Sequence, residues 1–292
     1  MKKFFMVIFI MLLSSTSYSQ DYFNYSKYGT VLKIKTNISM FPHPDRSAGY
    51  IFRNRIFSFE EHYNDNSVLI FVPSYLKKTG RTNFVVHFHG WYNNVDSVIE
   101  QFNLIQQLYG SKKNAILIIP QGPKDVSDSF GGNFEEKDVF RNFIFEIVNT
   151  LKNEKIIETK EIGTIILSGH SGAHRVMAYI LQRGGMQNFI REVFLFDGLY
   201  SHTEKYAYWI DHFRGKFINI YTDDGGTKEE SEKFLDDLKE WGFNPFFSEE
   251  KNLSEDDILK NKYIFIHTQL DHNQVLYKSN NFYFFLANSS LK

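Results

Sequence analysis

From residue 83 onward, short apolar runs alternate with stretches in which apolar side chains recur every three or four positions. The runs "NFVVHFHG" (83–90), "AILIIP" (115–120), "GTIILS" (163–168), "EVFLFD" (192–197), "KFINIYT" (216–222) and "YIFIHT" (263–268) predict strands. Between them, 95–109 carries Val95, Val98, Phe102, Ile105 and Leu108 at helical spacing. Asp138–Leu151, Ala173–Leu181, Glu229–Trp241 and Val275–Leu286 also predict helices. Strands apolar on both faces, alternating with amphipathic helices, imply a mostly parallel sheet flanked by helices. Residues 30–75 read instead as antiparallel β structure. There "TVLKIK" alternates, "GYIFRNRIFSF" reads as a hairpin around Arg53–Arg55, and "SVLIFVP" is a buried run ended by Pro73. The segment 121–134, "QGPKDVSDSFGGNF", has no periodicity. A loop of that length reads either as functional or as a surface excursion.

The first residues follow a different pattern. Lys2 and Lys3 precede the apolar stretch Phe4–Leu13, and "SSTSYSQ" follows it. This is the layout of a secretory signal peptide, with small residues Ser17 and Ser19 placed for cleavage before Gln20. The apolar stretch is too short for a stable membrane anchor. The chain without a single cysteine excludes both disulfides and a lipid-bearing cysteine at the cleavage site. Residues 1–19 are therefore expected to leave, and 20–292 to form a single domain in a secreted or periplasmic protein. Across 292 residues, 33 basic side chains balance 34 acidic ones, so nothing points to nucleic acid. The 30 Phe and 17 Tyr are spread through the chain and mark no single binding stripe.

The candidate chemistry starts at Gly169-His170-Ser171-Gly172-Ala173, between a predicted strand and a predicted helix. A serine on such a turn holds its hydroxyl above the C-terminal edge of the sheet, and its neighbours must be small. Helix N–H groups then face the place where negative charge develops. The plain alternative is a strand–helix turn without chemistry. Upstream, "HFHGW" (87–91) follows a strand, where a second oxyanion donor would come from, the N–H of Trp91 or Tyr92. The N–H of Gly172 would be the first. His87 and His89 share a strand face and could ligate zinc, but no spacing supplies further ligands, so no metal is expected. His272 follows the last strand and can reach back to the serine; His267, His170 and His174 are less well placed.

The order strand–His-Gly–helix, strand, helix, strand–"GHSGA"–helix, strands and late histidine resembles the α/β-hydrolase fold over roughly 80–290. Residues 30–75 fit its leading antiparallel strands, and Ala173 stands where the pattern has glycine. Within that superfamily the chain looks like secreted bacterial serine esterases. The resemblance implies nucleophile Ser171, base His272 and an acid between them. Asp197, at the tip of "EVFLFD", is preferred; Asp223 is the alternative, with Asp224 beside it, one strand later, where most of the superfamily carries the acid. Such a site would cleave an ester in a small molecule or polymer without a cofactor. An amidase or peptidase on the same residues, or a non-catalytic binding protein of the same fold, are the alternatives.

Export is tested at the N-terminus: sequencing of the protein recovered outside the cytoplasm is expected to begin at or near Gln20. A cytoplasmic chain that retains Met1 would refute the reading.

Overall fold

The computed structural model describes residues 20–292; the signal-like segment 1–19 lies outside the described residues. Among the described residues there are eleven strands: β1 (Gly29–Lys35), β2 (Tyr50–Phe52), β3 (Arg55–Phe57), β4 (Ser67–Pro73), β5 (Thr82–Phe88), β6 (Ala115–Pro120), β7 (Ile162–His170), β8 (Ile190–Phe196), β9 (Lys216–Thr222), β10 (Phe246–Glu249) and β11 (Tyr263–Thr268). The α-helices are α1 (Phe59–His62), α2 (Val95–Gln101), α3 (Leu104–Ser111), α4 (Val139–Asn153), α5 (His174–Arg183), α6 (Thr203–Phe213), α7 (Lys228–Glu240), α8 (Glu255–Lys260) and α9 (Asn281–Ala287). None of these helices is long and apolar enough to cross a membrane.

Nine strands form one sheet in the order β1-β4-β6-β5-β7-β8-β9-β11-β10. The pairings β1–β4 and β4–β6 are antiparallel, and all others are parallel. Successive residues of the central strands feed opposite faces. Leu167, Val193 and Leu195 join Phe140, Met177, Tyr206 and Trp209 on one side. Ile166, Phe194 and Phe196 join Val98, Leu108, Phe282 and Phe285 on the other. Each such fully buried side chain contributes roughly 1.5–3 kcal/mol. That double-sided burial is why the strands read as unbroken apolar runs.

The hairpin expected at Arg53–Arg55 is present as β2–β3, with Arg53 and Asn54 at φ 48° and 63°. Both central residues at positive φ suit the twist of a two-residue hairpin. It forms its own two-stranded sheet rather than joining the large one. The helix expected over 95–109 is two, α2 and α3, because Asn103 sits in the left-handed region at φ 52°. The stretch 275–286 likewise divides into a single turn, Gln274–Leu276, and α9. Helix α6 is additional to the expected elements, although Tyr206, Trp209 and Ile210 give it a buried stripe.

The loop 121–134 is not a surface excursion. Most of it is buried, Val126 and Phe134 completely. Asp128 accepts from Arg46 Nε at 2.7 Å and Tyr63 Oη at 3.0 Å. Glu135, just past the loop, accepts from Arg175 Nε at 2.7 Å, Arg175 Nη2 at 2.9 Å and the Gly131 N–H at 2.7 Å. A two-pronged guanidinium–carboxylate pair fixes orientation as well as distance. The loop is thus a wall clamped to α5.

Glu135→Ala removes that clamp and strands Arg175. The expected cost is about 1–3 kcal/mol in denaturant unfolding, since the partly exposed Arg175 can regain water, with new protease cleavage within 121–134. Unchanged stability and protection would show that the clamp does not hold the loop.

Candidate active site

Strand β7 runs into a single helical turn, Ser171–Ala173, and then α5. Ser171 has φ 54°, a strained value for a residue with a side chain. The turn is possible because its surroundings are stripped of side-chain atoms. A Cβ added at Gly169 would overlap Met177 Sδ and crowd the Ala173 methyl, and one at Gly90 would lie 2.7 Å from Ser171 Cβ. The methyl of Ala173 fits because Gly169 opposite it has none.

Ser171 Oγ–H donates to His272 Nε2 at 2.8 Å, and His272 Nδ1–H donates to Asp197 Oδ2 at 2.6 Å. The partners set the tautomer: an ionised carboxylate only accepts, so Nδ1 carries the proton and Nε2 is open toward the serine. Asp197 follows β8 at φ 43° and has no solvent exposure. Its Oδ1 accepts from the Thr222 N–H at 3.1 Å and from the Thr227 hydroxyl; Oδ2 also accepts from Thr222 Oγ1 at 2.8 Å. Burial, the largest influence, pushes this carboxyl up. The hydrogen bonds from His272, Thr227 and Thr222 together outweigh it and hold the group below its ordinary value.

The structure brings Ser171, His272 and Asp197 together and places Asp223 elsewhere. Asp223 accepts from Lys228 Nζ at 2.6 Å and lies 3.0 Å from His267 Nε2, while the other nitrogen of His267 lies 3.0 Å from Glu249. Asp224 is exposed. The "TDDGGT" stretch is neither the partner of His272 nor a bare turn. Its two threonines cradle Asp197, and a Cβ on Gly225 would overlap Asp197 Oδ2. The signal for this was a buried carboxylate in need of donors, with hydroxyls at both ends of the adjoining loop.

On the other side of Ser171, Gly172 is second in a helical turn, so its N–H has no intrahelical acceptor. The Tyr92 N–H donates to Val126 O at 3.0 Å, which leaves the Trp91 N–H as the second donor of the pair expected from sequence. The Trp91 indole lies over Gly172, fixed by a 2.8 Å bond from Nε1 to Ser129 Oγ. His87 and His89 take separate partners. His87 Nδ1 lies 3.0 Å from Ser168 Oγ in the core, and burial pushes the ring down to about 3. His89 Nε2 accepts from the Gly122 N–H at 3.0 Å, tying the loop 121–134 to the His-Gly segment. His174 has both nitrogens engaged, Nδ1 3.3 Å from Ser171 O and Nε2 3.2 Å from Ser201 Oγ. Tyr200 Oη donates to Gly225 O at 2.8 Å and interacts with the Ser171 side chain. Sequence reasoning left Tyr200 out.

No protein-family model and no curated protein sequence matches the chain. Solved structures do. The substrate-bound fluorophosphonate-binding serine hydrolase F (FphF) of Staphylococcus aureus matches at TM-score 0.52 and 8% identity, over 90% of this chain and 100% of that one. A ferulic acid esterase matches at TM-score 0.52 and 12% identity, over 76% of this chain and 92% of the other. The chain has the α/β-hydrolase fold. At these identities the likeness is one of fold. As in the α/β-hydrolase pattern, the serine turn, the His-Gly segment and the late histidine meet at the C-terminal edge of the sheet.

The Asp197 cradle has a pH signature. A carboxyl depressed in the folded state stabilises the protein above its unfolded value, and that stability is lost as pH falls through the folded value. Thr227→Val removes one donor and raises the folded value toward the ordinary one. Acid unfolding of Thr227→Val, followed by circular dichroism, is expected at a higher pH than in the wild type. Coincident acid transitions would refute the role given to the Thr227 hydroxyl.

Proposed function

We propose that this α/β-hydrolase is an exported serine esterase that cleaves carboxylic esters through an acyl-enzyme. The observation that carries the reading is the line of hydrogen bonds from Ser171 Oγ through His272 to Asp197, at 2.8 Å and 2.6 Å. His272 Nε2 takes the Ser171 proton as Oγ attacks the ester carbonyl. Asp197 fixes the ring through Nδ1–H and stabilises the imidazolium that forms. The Gly172 and Trp91 N–H groups hold the oxyanion. His272 then gives its proton to the leaving alcohol and takes another from the water that releases the acid. All bonds are made and broken by these residues and water, with no cofactor. Ester-containing small molecules or polymers are the substrate class; the fold likeness to a ferulic acid esterase is compatible with an ester.

A fluorophosphonate probe is expected to label Ser171 covalently, and Ser171→Ala to abolish labelling and cut kcat by on the order of 10⁴–10⁶. Asp197→Asn is expected to lose up to roughly 10⁴ in kcat while remaining folded, and Asp223→Asn little. Matched esters are expected to turn over faster than the corresponding amides. Full ester hydrolysis by Ser171→Ala would sink the mechanism. An inactive Asp223→Asn beside an active Asp197→Asn would reverse the choice of acid.

A further inference from the structure

His170 immediately precedes Ser171 at the end of β7, and its ring is buried, at 2% exposure. That ring packs tilted against the His272 ring, with centroids 4.6 Å apart and planes at 35°. Its Nε2 lies 3.0 Å from the backbone oxygen of His272. A carbonyl only accepts, so His170 carries its proton on Nε2 and donates. Its Nδ1 has no partner among the described residues and faces Gly90, where an added Cβ would stand 3.3 Å away. Phe102, at the end of α2, closes the remaining side edge-on, with centroids 5.2 Å apart.

The titratable groups around the ring are His87 from β5, Asp197 at the end of β8, and His272 itself. Burial first, and the neighbouring His272 second, push His170 down to about 3. The ring therefore stays neutral throughout the range in which an ester hydrolase works. A neutral donor can lie against His272 without opposing the positive charge that His272 acquires; a lysine or arginine there would oppose it.

His272 sits in the connection after β11, and its ring must meet two partners at once, Ser171 Oγ and Asp197 Oδ2. The residue that anchors its backbone is the chain neighbour of the nucleophile. We propose that His170 is a positioning residue: its Nε2–H···O bond and the contact of its ring hold His272 in register with Ser171 and Asp197. This rests on the acyl-transfer reading above. His170 touches no reacting atom and acts only through His272.

Two variants separate the donor from the ring. His170→Phe keeps a ring and loses the donor; His170→Gln keeps a donor near the Nε2 position and loses the ring. His170→Phe is expected to lower kcat about 10- to 100-fold with KM within about 2-fold, since a small misplacement of a catalytic group costs on that order. His170→Gln is expected to recover kcat to within several-fold of wild type. The direct readout is the low-field proton resonance of His272 Nδ1–H in its short bond to Asp197. It is expected to weaken in His170→Phe and to persist in His170→Gln. Wild-type kcat and an unchanged resonance in His170→Phe would overturn the proposal, as would a His170→Gln variant as impaired as His170→Phe. If His170→Phe does not fold, His170→Gln decides alone: loss of its resonance and kcat overturns the proposal, retention of both supports it. A wild-type protein that shows the resonance but takes no fluorophosphonate would instead refute the esterase reading and leave the positioning of His272 intact.

Discussion

The site depends on keeping one negative charge out of water. Asp197 is completely buried, and an uncompensated ion there would cost several kcal/mol. Its compensation comes from three separate pieces of chain: Thr222 at the end of β9, Thr227 before α7, and His272 beyond β11. None is adjacent to it in sequence. Out of water, the carboxylate stays ionised only because these segments have closed on it. Conversely, His272 takes part of its orientation from a carboxylate that the threonines hold in place. Assembly of the C-terminal half of the sheet and readiness of the site are therefore one event.

The second requirement is room. Ser171 is driven into a strained backbone conformation and approached by main chain from Gly90 and Gly198, while Gly169 leaves room for Met177 and Ala173. Side chains at these places would displace the turn. What stands close instead is either backbone or a ring with fixed orientation, such as the Trp91 indole bonded to Ser129. The clamped loop 121–134 gives that ring a rigid backing through Ser129. Strain at the serine is thus supported by packing on all sides, which is how an unfavourable φ persists in a native structure.

Much of this was legible from the chain itself. Strands such as Tyr263–Thr268 and Lys216–Thr222 are bounded in the sequence where the structure bounds them, because burial on both faces leaves an unbroken apolar run. The serine turn was legible because its small residues follow directly on such a run. Asp197 stood out as a lone carboxylate on an apolar strand. The cradle was masked: its only signal was hydroxyls at the ends of the loop, and Thr222 and Thr227 lie in a charged, glycine-bearing stretch that has the look of a solvated turn. Nor was the break between α2 and α3, since the apolar spacing continues through Asn103 and only a backbone angle interrupts it. The role of 121–134 was hidden for another reason. Its order comes from Arg46 and Arg175, far away in sequence, and local pattern carries no trace of such partners.

A second aspartate–histidine pair sits beside the first, and it differs in what its ring has left to give. Both nitrogens of His267 face carboxylate oxygens, Asp223 on one side and Glu249 on the other. With a carboxylate at each nitrogen, neither is turned to a hydroxyl. The ring works as a bolt between the segments that carry Asp223 and Glu249. His272 has one carboxylate only, and its far nitrogen is vacant for a hydroxyl. What separates the two rings is a count of acceptors around an imidazole, and the nearness of an acid does not distinguish them.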